Sequence, residues 1–229
     1  MEYGQFCPIA KATEILGDRW TLLIVRELLN GGRRYSELQR GLGTISPALL
    51  SERLKTLTAY GLIIKRKIPG KRGFEYYPAG ACEALGPILQ SLGEWGMRYA
   101  KDHLIDEDYD VELLMLYLER TIAVEKLPGS VTVLRFEFED MRKERVWWLV
   151  VEHGQVDVCV KDPGRDVDLY FTTTVRTMTD VWLGHRTYRS AIRAGDLSIV
   201  GPTDLKRSVS AWLRCVDYAE VSKAGVVVA

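Results

Sequence analysis

The segment from Arg33 to Pro78 constrains this chain more than any other. Gly31-Gly32 closes a preceding apolar helix, Arg33-Arg34 follows, and Tyr35-Ser36-Glu37-Leu38 opens a short helix. Ser46-Pro47 then starts another. Serine accepts the orphan amides of a helix start, and proline at the first helical position has no amide to leave unpaired. Leu50, Leu54 and Leu57 share one face of that helix by i, i+4, i+7 spacing, and Gly61 supplies the stop. Residues 62–68 and 74–78 alternate as two strands, joined by Pro69-Gly70-Lys71-Arg72-Gly73.

That order, helix, turn, capped helix, then a hairpin, describes a winged helix-turn-helix. A helix of this kind fits the major groove of B-DNA, while cations on the hairpin reach neighbouring phosphates. Charge agrees with it. The chain of 229 residues is neutral overall, yet residues 1–100 hold 14 Lys+Arg against 9 Asp+Glu, and the remainder holds 17 against 22. Within Arg33–Pro78 ten cations face only Glu37, Glu52 and Glu75. A charge run alone is usually a solvated face; its coincidence with the motif favours nucleic acid, expected as palindromic double-stranded DNA.

The residues expected at DNA are Arg33, Arg34 and Ser36 beside the short helix, Ser46, Pro47, Ala48, Ser51, Arg53 and Lys55 on the capped helix, and Lys71 and Arg72 at the hairpin tip. Leu49, Glu52 and Thr56 also fall off the apolar stripe and are groove-facing candidates. Arg53 can pair a guanine edge, neutralise phosphate, or bridge to Glu52, and its chemistry alone does not choose.

Upstream, residues 8–16 form a first helix, and Asp18 is expected to cap a second that runs to Asn30, with Trp20, Leu23, Ile24, Leu28 and Leu29 making a broad buried face. Downstream, Leu85, Ile88, Leu89, Leu92, Trp95, Gly96 and Tyr99 continue a helical stripe to about Lys101, beyond what a small domain needs to cover. A homodimer through this helix is the expectation, since two-fold protein symmetry matches a palindrome.

This stretch resembles the HxlR-type winged-helix regulators, relatives of the MarR group. The resemblance covers roughly Cys7 to Ala100 and rests on Cys7-Pro8, Leu16-Gly17-Asp18-Arg19-Trp20, Arg34-Tyr35-Ser36-Glu37-Leu38, Ser46-Pro47 with Leu50, Arg53-Leu54 and Leu57, Gly61-Leu62, and Trp95. It implies dimeric transcription factors with the capped helix in the groove and the wing on the backbone. It also makes Cys7 a candidate oxidation sensor, against the plainer reading of a packed thiol. Gly70-Lys71-Arg72-Gly73 departs from the Val-Glu-Tyr pattern many relatives show in the wing.

Residues 101–110 are polar and acid-rich, which divides the chain into a mainly α winged helix-turn-helix domain, 1–102, and an α+β domain, 103–229. The second is expected as a helix over 111–124, strands over 131–139, 145–152, 155–161 and 168–174 in antiparallel pairing, helices over 174–183 and 188–194, a strand over 196–200, and a closing helix over 204–216. Valines and phenylalanines of the first strand alternate as if broken by one register shift. The order, particularly Phe171 to Leu213, resembles sterol-carrier-protein domains. That resemblance implies a pocket for an apolar effector, with Phe136, Phe138, Trp147, Leu149, Met178 and Trp182 as candidate lining residues or as plain core.

Catalysis finds little support. His103, His153 and His185 lack zinc-ligand spacing, Gly41-Leu42-Gly43 follows a helix rather than a strand, and no nucleophile-elbow pattern surrounds a serine. No cofactor or metal is expected. Four scattered cysteines and the lack of an apolar leader point to a cytoplasmic protein, the Val226-Val227-Val228 tail being too short to anchor in a membrane. The alternative function is a lipid-binding or carrier protein with a helical docking module.

Overall fold

The computed structural model describes residues 2–100 and 103–217. The Val226-Val227-Val228 tail and the 101–102 step of the expected boundary lie outside them. The chain divides into two compact units, Met1–Gly93 and Glu94–Ala229.

In the first unit, α1 (Pro8–Leu16), α2 (Thr21–Leu29), α3 (Tyr35–Leu42) and α4 (Pro47–Ala59) precede a hairpin of β1 (Ile63–Lys67) and β2 (Phe74–Pro78), then α5 (Gly80–Glu83) and α6 (Gly86–Tyr99), within which the division falls. Its core joins Ile24 and Leu28 of α2, Leu38 of α3, and Leu50, Leu54 and Leu57 of α4, all at most 1% exposed. Two expectations for α2 fail. Leu23 points outward, and α2 starts at Thr21 rather than under an Asp18 cap. Asp18 offers its backbone carbonyl to the Thr21 amide, and its carboxylate is engaged elsewhere.

The second unit has α7 (Val111–Thr121), β3 (Val131–Phe138), β4 (Val146–Glu152), β5 (Gln155–Cys159), β6 (Leu169–Thr173), α8 (Val175–Trp182), α9 (Tyr188–Ala194), β7 (Leu197–Val200), α10 (Thr203–Arg207) and α11 (Val209–Trp212). The sheet order is β5-β4-β3-β6-β7. Pairing is antiparallel except between β3 and β6, which run parallel, contrary to the all-antiparallel expectation. The hairpins put β5 on the far side of β4, so the free edge of β3 is filled by a strand returning in the same direction. No register break interrupts β3: it pairs regularly from Val131↔Glu152 to Glu137↔Val146. Leu134, Phe136 and Phe138 face the helices, and Val133 is buried on the opposite face with Trp148 and Val150, so apolar residues on both faces mimic a slip. The expected closing helix is two short ones, divided at Ser208, whose hydroxyl donates to the Asp204 carbonyl.

Gly201 closes β7 at φ 147°, and a Cβ there would lie 2.3 Å from the backbone oxygen of Asp168. Gly201→Ala is therefore expected to destabilise this unit by about 2 kcal/mol or more, because a left-handed backbone and a clash with main chain coincide. Urea denaturation checks it.

Candidate nucleic-acid interface

The helix-turn-helix is assembled by local bonds that the sequence makes available. The Ser46 hydroxyl accepts from the Leu49 amide at 3.3 Å, with Pro47 at the first position of α4. The Tyr35 hydroxyl donates to the Pro47 carbonyl at 2.8 Å, tying the start of α3 to the start of α4. The Glu37 carboxylate accepts from the amides of Arg33 and Arg34, both at 2.9 Å. Burial works to raise the Glu37 carboxyl, and these two amides together with the charges of Arg34 and Arg33 outweigh it and hold it below its ordinary value.

With Leu50, Leu54 and Leu57 turned inward, α4 leaves Ser46, Pro47, Ala48, Ser51 and Lys55 exposed on a single surface. Small side chains at the leading end permit close approach to a groove floor. The wing is antiparallel, with Arg66 opposite Glu75, and the Tyr76 amide donates to the Arg33 carbonyl at 2.8 Å, docking the hairpin on the segment before α3. Its turn uses Gly70 and Gly73 at positive φ, leaving Lys71 and Arg72 exposed at the tip. Lys65 lies 4.0 Å from the centre of the Phe74 ring, and Arg66 lies over Tyr77 at 4.8 Å, so aromatic faces hold the wing's cations in place.

Three expected groove or phosphate residues are placed otherwise. Arg53 is withdrawn: its Nη1 lies 3.0 Å from Asp18 Oδ2, its Nε donates to the Arg19 carbonyl at 3.2 Å, and its side chain is only 15% exposed. Leu49 leans onto the core. Arg33 is held by the end of α2, donating to the carbonyls of Leu28 at 2.6 Å and Gly32 at 2.9 Å, with its guanidinium over Tyr77. The partial negative charge at a helix C-terminus draws a nearby guanidinium, here as a further donor to the Leu28 carbonyl, which already accepts the Gly31 amide at 3.2 Å. Arg34 stays exposed, 3.7 Å from Glu75, and Ser36 is exposed beside it. Sequence reasoning passes over Tyr35 as a contributor. Its position twelve residues before Pro47, at the first turn of α3, is the available signal.

Four side chains of α6 form an exposed apolar stripe: Ile88, Leu92, Trp95 and Tyr99, with the Trp95 and Tyr99 rings 5.6 Å apart. Leu85 and Leu89, expected in the same stripe, turn to the core instead. Phe6 and Ile9 at the start of α1 are exposed as well. Cys7 is half-buried at the amino end of α1, whereas Cys82 is fully buried, which pushes its thiol up to about 11.

Residues 15–104 match the model of the HxlR-like helix-turn-helix family. The relative YvaP of Bacillus subtilis (strain 168) is 37% identical over 108 residues, which span 46% of this chain and 100% of its own. This chain belongs to the HxlR-like helix-turn-helix family. YkvN, also of Bacillus subtilis (strain 168), is 33% identical over 108 residues, 46% of this chain and 90% of its own. Both relatives are named HTH-type transcriptional regulators. Among solved structures, a MarR-family regulator from Porphyromonas gingivalis W83 overlays 42% of this HxlR-like chain and 94% of its own at 33% identity, with a TM-score of 0.39. The HxlR-like part is followed by a match to the SCP-2 sterol transfer family over residues 114–214.

Within that SCP-2 domain the residues expected to line a pocket are core. Phe136, Phe138, Trp147, Leu149 and Met178 are buried together, and Phe136 stacks on Phe171 with ring centres 4.5 Å apart. Trp182 is half-buried and stacks on Tyr117 at 4.7 Å. A separate depression of about 170 Å³ lies at the β4–β5 turn, lined by Val124, Leu127, Thr132, Val151 and His153 among others. Among the described residues no His, Cys, Asp or Glu cluster has metal-binding form, and no helix is long and apolar enough to cross a membrane.

Proposed function

We propose that this protein is a sequence-specific transcriptional regulator that binds double-stranded DNA as a homodimer, α4 lying in the major groove and the wing on the backbone. One observation carries the reading: Ser46, Pro47, Ala48, Ser51 and Lys55 share the exposed side of a helix whose opposite side is fully buried, with Lys71 and Arg72 exposed at a hairpin tip in the same unit. Short side chains flanked by exposed cations suit a groove and its phosphates. The names of the relatives support it. The exposed α6 stripe supports a dimer, and a dimer suits a palindromic site.

Replacing Lys71 and Arg72 by alanine is expected to weaken binding to every duplex alike and to flatten its salt dependence, by roughly 0.9 in logarithmic slope for each phosphate no longer neutralised. Binding measured between low and moderate salt reads it, and an unchanged slope removes the wing from the interface. Selecting bound fragments from genomic DNA tests the whole reading, because an operator with two-fold symmetry is the expected product.

The SCP-2 match supports a second element of the reading, an apolar molecule held by the carboxy-terminal unit that modulates DNA affinity. Such an effector acts only through unequal affinity for two arrangements of the protein. Native mass spectrometry of the full chain, with and without added lipid extract, tests whether such a molecule is held.

A further inference from the structure

We propose that Arg53 is a positioning residue: it ties α4 to the corner between α1 and α2 and sets the angle at which that helix meets DNA, without touching DNA itself. The inference rests on the DNA-binding reading above and adds a division of labour among the cations of α4 and the wing.

Lys55, Lys71 and Arg72 are exposed and make no ion pair among the described residues, as befits groups awaiting phosphate. Arg53 differs in every respect. Its guanidinium is forked between the Asp18 carboxylate at 3.0 Å and the Arg19 carbonyl at 3.2 Å, with Glu52 at 3.4 Å, and it is far less exposed than either carboxylate around it. A planar fork with two fixed acceptors specifies direction as well as distance.

The corner it grips is itself specialised. Trp20 sits at φ 78°, a left-handed conformation that a bulky side chain adopts only when its surroundings impose it. Contacts around that turn include the Arg53 bond to Arg19, the Thr21 amide donating to the Asp18 carbonyl at 3.1 Å, the Ile24 amide donating to the Trp20 carbonyl at 2.8 Å, and the Arg19 guanidinium 5.4 Å from the Trp20 ring. The first of these reaches α4. The inward packing of Leu50, Leu54 and Leu57 holds α4 down, but apolar burial is non-directional and resists rotation about the helix axis weakly. The forked guanidinium supplies that resistance.

Geometry then separates two kinds of DNA contact. Side chains extend roughly 5–6 Å from a helix axis, so a rotation of about 20° moves their tips by roughly 2 Å. That displacement breaks hydrogen bonds to base edges, which tolerate little error, while long flexible cations still find phosphates. Loss of the fork should erode sequence discrimination and spare the electrostatic part of binding.

Asp18→Asn makes the test sharp because its two effects have opposite sign. It raises the charge of the unit by one, so plain electrostatics makes DNA binding tighter, whereas loss of the fork makes operator binding weaker. Full-length wild type, Asp18→Asn, Arg53→Met and the double variant are titrated against the selected operator and an unrelated duplex over a range of salt, alongside thermal unfolding. Asp18→Asn and Arg53→Met are each expected to weaken operator binding roughly tenfold, with unrelated-duplex affinity slightly raised in Asp18→Asn and nearly unchanged in Arg53→Met, salt slope nearly unchanged in both, and the double variant no worse than either single. Operator binding that is unchanged or tighter in Asp18→Asn overturns the proposal. So does an Arg53→Met variant that loses both duplexes equally with a slope lower by about 1, which makes Arg53 a phosphate contact. A fall in melting temperature with equal loss on both duplexes assigns it to stability alone and likewise overturns it. Wild type that binds the operator no better than the unrelated duplex refutes the DNA-binding reading instead, and is distinguishable from all of these.

Discussion

Gly41→Ala is expected to destabilise the amino-terminal unit by about 3 kcal/mol, a large effect for one methyl group. Glu27 on α2 is fully buried, with Arg26 Nη2 2.9 Å from its Oε1, and the same arginine donates to the Gly41 carbonyl at 3.0 Å. A Cβ on Gly41 would fall 1.8 Å from Glu27 Oε2. A carboxylate on the surface would swing aside at little cost. This one has no solvent to enter, and moving it strains the pairing that makes its burial tolerable. The shift in urea midpoint measures the loss. Alanine at both positions should cost no more than Glu27→Ala alone, since the group the methyl would strike is then gone; a neutral Gly41→Ala would show that α2 and α3 separate more easily than their packing suggests.

Leu92→Glu combined with Trp95→Glu is expected to convert the proposed dimer to monomers and to lower operator affinity by about 100-fold. Both side chains are about half exposed, so the substitutions should leave the fold intact. Four carboxylates brought together in a two-fold apolar contact repel and strand charge away from water. Two half-sites held by one dimer bind with an effective concentration that separate monomers lack, which is the source of the large factor. Light scattering on the purified variant reads the mass, and titration against one half-site and the full site reads the affinity. A variant that keeps the mass of a dimer, and still prefers the full site to the half-site, would place the dimer contact elsewhere.

The parts of this structure that could be read in advance are those whose causes lie within one or two helical turns. Ser46-Pro47, the Leu50/Leu54/Leu57 stripe and the glycines of the wing each act on their own neighbours, so their spacing is sufficient. Arg53 lies beyond that range. Nothing near it in the sequence betrays that its partner is Asp18, and the same missing link hides why Asp18 does not cap α2. Arg33 fails similarly, since it reaches back to a carbonyl that only the finished end of α2 puts in place. In the second unit, strand positions are legible from β-branched and aromatic runs, but direction is not. The β3–β6 pairing joins segments separated by two intervening strands, and alternation is the same for either direction. Apolar residues on both faces of β3 erase the contrast from which orientation is read.

The parallel partner of β3 has a consequence for the order of events at the ribosome. The amino-terminal unit draws its core from helices close in sequence and can close as soon as Leu85 has emerged. The sheet cannot. Its central strand waits for residues 169–173, and the strand beside those waits for 197–200, so translation runs on for dozens of residues with Phe136 and Phe138 uncovered. A nascent chain of this protein thus presents a finished helical head and an unfinished sheet, and chaperone dependence should concentrate in the interval before β6 is made.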